Sequence, residues 1–95
     1  MTHEIHRVRS FEQVGPYTLR VRFDDGTLQV IDFEPVLRGQ LFGPLRAPEF
    51  FKQVRIDPDF HTLVWPNDAD FAPADLHDWP EVREEFIRSR AQWRE

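Results

Sequence analysis

Tyr17-Thr18-Leu19-Arg20-Val21-Arg22-Phe23-Asp24-Asp25-Gly26-Thr27-Leu28-Gln29-Val30-Ile31-Asp32-Phe33 decides the fold. Its first seven residues alternate without a break. Tyr17, Leu19, Val21 and Phe23 fall on one side, and Thr18, Arg20 and Arg22 on the other. A period of two is the signature of a strand with one buried and one wet face. Asp25-Gly26 supplies a hairpin turn, and Thr27 to Phe33 returns as the partner strand. The return is irregular: Leu28, Val30, Ile31 and Phe33 are all apolar, so the facing switches near Val30-Ile31. The expected cause is a bulge, or burial on both faces.

Working outward, Ile5 to Val14 reads as an N-terminal strand ended by Gly15-Pro16. Glu34 to Gly39 suits a short helical turn, Gln40 to Arg46 a loop, and Ala47 to Gln53 a second short helix opened by proline. Val54-Arg55-Ile56-Asp57 and His61-Thr62-Leu63-Val64-Trp65 predict a second hairpin. Pro73 to His77 predicts a helical turn. Asp78 is placed to cap a last helix over 79–95, whose Trp79, Val82, Phe86 and Trp93 form one apolar stripe. The sum is α+β: a small, mostly antiparallel sheet of two hairpins plus an N-terminal strand, two short helices and a C-terminal helix. The chain reads as a single domain over 1–95.

Composition narrows the chemistry. The 95 residues are 40% hydrophobic and include 13 aromatics, enough for an independent core. The longest apolar runs are three residues, so no segment is expected to span a bilayer. The start shows no basic cap or apolar stretch of a signal peptide, and the expected location is the cytoplasm. There is no cysteine, which excludes disulfides, thiolate metal sites and cysteine nucleophiles. Only two serines are present, neither in a strand–turn–helix elbow, and four glycines build no phosphate loop.

The net charge of −5 is unevenly spread. Residues 56–82 contain no Lys or Arg and carry −7, while the rest carries +2. Such an acidic segment repels phosphate backbones and attracts cations or a basic protein. Direct nucleic-acid binding is therefore not expected. Trp65-Pro66-Asn67-Asp68-Ala69-Asp70 is the most unusual stretch. Trp65, Asn67, Asp68 and Asp70 are candidates for recognising a partner, against a reading in which Trp65 is core and the polar residues hold a turn. Trp93 is a further candidate contact. Asp68, Asp70, Asp75 and His77 offer an alternative, a small metal-dependent or acid–base enzyme. His3-Glu4-x-His6 reads as an incidental surface feature. No cofactor and no resident metal are expected.

Taken in order, Asp25-Gly26-Thr27, Ile31-Asp32-Phe33, Leu45-x-x-Pro48-x-Phe50, Val54-Arg55-Ile56-Asp57, Leu63-Val64-Trp65-Pro66-Asn67-x-Ala69-Asp70 and Ala72-Pro73-x-x-Leu76 resemble the bacterial domain-of-unknown-function family numbered 2442. The likeness covers about residues 5–77. Asp68 stands where that family usually shows glycine, and His77 where tyrosine is frequent. The resemblance implies a small α+β domain without established activity. Similar domains occur alone or joined to a helix-turn-helix, and their genes often neighbour another small protein in toxin–antitoxin-like pairs. The expectation from sequence is a non-enzymatic interaction or regulatory module with a basic protein partner, with the neutralising half of such a pair as its specific form; self-association as a homodimer is a third reading.

Overall fold

The computed structural model describes residues 6–90. Strand β1 (Val8–Gln13), β2 (Thr18–Phe23) and β3 (Leu28–Asp32) form an antiparallel sheet in that order. A separate two-stranded ladder joins β4 (Arg55–Ile56) to β5 (Leu63–Val64). Between the sheets lie helical turns at Glu34–Val36 and Gly43–Arg46, and the short helices α1 (Gly39–Phe42) and α2 (Pro48–Phe51). The short helix α3 (Pro73–His77) and the longer α4 (Trp79–Arg90) close the chain. The α+β reading holds, with the two hairpins in two sheets.

The alternation in β2 does what its period dictates. Leu19, Val21 and Phe23 are buried, and Arg20 and Arg22 are exposed. Across the ladder Leu19 faces Ile31, Arg20 faces Val30 and Arg22 faces Leu28. The hairpin loop holds three residues, because Phe23 N donates to Thr27 O at 2.9 Å. Only Gly26 in it takes a positive φ, of 89°. Asp25 Oδ1 accepts from Thr27 N at 2.9 Å and pins the turn.

The facing switch has neither of its expected causes. β3 pairs with β2 without irregularity, and the bulge lies in β1 instead, between Val8 and Ser10. Ile31 is buried, while Leu28 and Val30 are left in solvent. Residues 40–46, expected as a loop, are helical turns. Leu45 among them is fully buried, and Phe42 packs against the core.

Aromatic rings fill the centre. Phe33 lies within 6.1 Å, centroid to centroid, of Phe51, Trp65, Phe71 and Trp79. Trp79 stacks on Phe86 at 5.5 Å, and Val82 and Ile87 lie against the same core. The stripe on the last helix thus packs on the domain itself. Trp93 lies outside the described residues. No helix among the described residues is long and apolar enough to cross a membrane.

Candidate functional site

Three places meet the sequence-based candidates or replace them. The first is the Trp65 to Asp70 loop. Trp65 is completely buried and its indole N–H donates to Phe51 O at 2.8 Å. The structure therefore places it in the core, with no side-chain surface to present to a partner. Asn67 Nδ2 donates to Leu41 O at 2.9 Å, and its Oδ1 accepts from Ala69 N at 3.2 Å. The backbone closes through Asp68 N to Trp65 O and Trp65 N to Ala69 O, both 2.9 Å. Asp68 sits at φ 68°, where glycine meets no steric cost. Asp70 forms a bridge with Val64. Of the four candidate residues in this loop, Asp68 and Asp70 are exposed. Backbone and side-chain bonds thus hold this loop as a turn.

The second place is a cluster that sequence reasoning missed. His77, at the end of α3, has both ring nitrogens engaged. Nε2 lies 2.8 Å from Asp25 Oδ2 and 3.0 Å from Thr27 Oγ1, and Nδ1 lies 2.8 Å from Asp78 Oδ1. His6 stacks on the ring at 3.7 Å and 11°, and Phe23 meets it edge-on at 5.0 Å. Gln29 Nε2 donates to His77 O at 2.6 Å. The cluster fastens the β2–β3 turn to α3. Burial pulls the His77 pKa down, but the hydrogen bonds to Asp78 and Asp25 outweigh it, and the net shift is upward. Asp25 is lowered to about 2 by the Thr27 amide and hydroxyl, then by His77. Asp78 spends its carboxylate on the imidazole, so its expected capping role reduces to its backbone carbonyl, which accepts from Glu81 N at 2.8 Å.

Among the described residues, His6, His77 and Asp78 form the one group of three such side chains whose ligand atoms all lie within 4.8 Å of one another. Asp68, Asp70 and Asp75 do not join His77 in such a group. Among the described residues, the four side chains offered for a metal centre are not brought together as one group of ligands. A tight turn at 65–70 and a short helix separate these residues along the chain.

The third place is the outer edge of β3. Phe33 N donates to Tyr17 O, and Phe23 N to Thr27 O, each at 2.9 Å. In an antiparallel ladder the bonded pairs alternate. The amides and carbonyls of Leu28, Val30 and Asp32 therefore point away from β2, and among the described residues no strand lies on that side. The side chains of the same residues occupy the open face of the sheet, Leu28 at 48% exposure and Val30 at 61%. Arg20, bound to Glu12, and Arg22 share that face.

A three-stranded sheet carrying an apolar open edge, backed by short helices and a buried aromatic cluster, defines a small α+β domain. The chain belongs to the protein-of-unknown-function family DUF2442, whose sequence model matches residues 8–81. That match takes in the first residues of α4, three beyond the end of α3's cap. No curated protein and no solved structure matches the chain.

Proposed function

We propose that this protein is a non-catalytic binding module that receives an extended, basic segment of a partner protein along the outer edge of β3. The observation that carries the reading is the pairing of outward-pointing backbone groups with exposed apolar side chains at Leu28 and Val30. Strand addition uses both: the main chain supplies affinity and alternate side chains supply specificity. Proteins normally blunt such edges with charge, proline or a covering element. Here Val30, at the middle of the strand, is uncharged and exposed among the described residues.

Charge supports the basic character of the partner. Asp25 and Asp32 flank the strand at its two ends, and α3, which carries Asp75 and runs into Asp78, packs beside β3. The acidic segment 56–82 contains no Lys or Arg. The gene arrangement that the family resemblance implies favours a co-expressed partner, for which this chain is the neutralising half.

Affinity capture from host lysate identifies the partner, and the purified pair then tests the reading. Val30→Lys and Leu28→Lys are expected to weaken binding at least tenfold while moving stability by less than about 0.5 kcal/mol, as exposed substitutions do. Binding unchanged in both variants overturns the reading. So does a stable dimer of the chain alone that Val30→Lys dissociates, which would assign the edge to a second copy.

A further inference from the structure

We propose that His6, His77 and Asp78 form a binding site for one divalent metal ion of the zinc class. It is independent of the strand-docking reading. The cluster offers two imidazoles and one carboxylate, a donor set that suits zinc and its neighbours among the transition metals.

The surroundings of His77 resemble the supporting shell of a metal site. A ligating imidazole characteristically donates its second N–H to a carboxylate, which fixes the tautomer and aims the free lone pair. Asp25 Oδ2, 2.8 Å from His77 Nε2, stands in that position. Asp25 is itself held by the Thr27 amide at 2.9 Å. The remaining nitrogen, Nδ1, faces Asp78 Oδ1 at 2.8 Å, with the His6 ring lying parallel above. Phe23 closes the side toward the core.

The carboxylate needs little movement, while the His6 ring must turn off its parallel stack on His77, because an imidazole binds a metal through a lone pair in its own ring plane. Ligands at about 2.0–2.1 Å from a tetrahedral ion stand roughly 3.3 Å apart. The three donor atoms already lie within 4.8 Å of each other, and the Nδ1 to Oδ1 distance needs to open by about half an ångström. The ion would sit between Nδ1 and Asp78 Oδ1, and a proton carried by Nδ1 would be displaced on binding. The fourth position falls to water or to a donor from outside the cluster.

The test is a calorimetric titration of the full-length protein with zinc chloride, paired with the cobalt(II) visible spectrum. Expected are one equivalent bound, a proton released, and tetrahedral cobalt bands. His6→Ala and Asp78→Asn are each expected to weaken zinc at least tenfold, and His77→Gln to abolish binding. Asp25→Asn should weaken it between about tenfold and a hundredfold without changing the stoichiometry. Circular dichroism of the His6→Ala variant, which alters no core residue, guards against loss of fold. Absence of saturable binding, or affinity retained in His6→Ala, overturns the site. Loss of binding in His3→Ala with retention in His77→Gln also overturns it, because the ion would then belong to the N-terminal segment alone.

Discussion

His77 Nε2 stands 2.8 Å from Asp25 Oδ2, a contact that joins residues 52 apart in the chain. It ties the turn of the central hairpin to the last short helix. The contact titrates at both ends. The His77 pKa is raised from 6.5, so its stabilisation is complete below pH 6.5 and is lost as pH rises through the higher folded value. Asp25 is lowered from 3.8 to about 2, so its contribution is complete above pH 3.8 and is lost as pH falls toward 2. The melting temperature is therefore expected to peak between pH 3.8 and 6.5 and to decline toward neutral and alkaline pH. Thermal melts across pH check this, with His77→Gln expected to flatten the alkaline decline.

Trp65 is a second point of high consequence. Its indole N–H on the Phe51 carbonyl links the end of β5 to α2 from inside the core. Trp65→Phe leaves that buried carbonyl without its donor and should cost about 1–3 kcal/mol. Denaturant unfolding measures the loss. A change within 0.5 kcal/mol would mean that the loop tolerates the missing bond and that the residue is held for another reason.

Asp68 separates backbone strain from side-chain function. At φ 68° a β-branched residue is disfavoured, and Asp68→Val should destabilise by about 1–2 kcal/mol. Asp68→Gly removes the strain but adds unfolded-chain entropy, so its net effect should stay within about 1 kcal/mol. If Asp68→Gly weakens partner binding at unchanged melting temperature, the carboxylate has a recognition role in addition to its place in the turn.

The central hairpin was legible because two local signals agree: an unbroken period of two over Tyr17 to Phe23, and Asp25-Gly26 at its end. The Val30-Ile31 irregularity was legible too, but only as an anomaly. Periodicity records that an apolar residue sits on the wet face; it does not say whether a bulge, a second layer or solvent meets it. The helical turns over 40–46 were not legible. Gly43 and Pro44 read as loop, and burial of Leu45 overrides that preference. The His77 cluster draws on positions 6, 25, 27, 77 and 78, which only the folded chain assembles. The one local hint was His77 beside Asp78, a pairing too common to single out.

The bulge in β1 bears on how far strand addition can run. A sheet open on both sides is a template for endless growth. Here β1 is distorted between Val8 and Ser10, and its first amide is taken by His61 O at 2.8 Å. The β1 side is thus a poorer template than the β3 side. If a strand docks on β3 as proposed, further growth would have to use this distorted side, which favours a complex of defined size over a fibre.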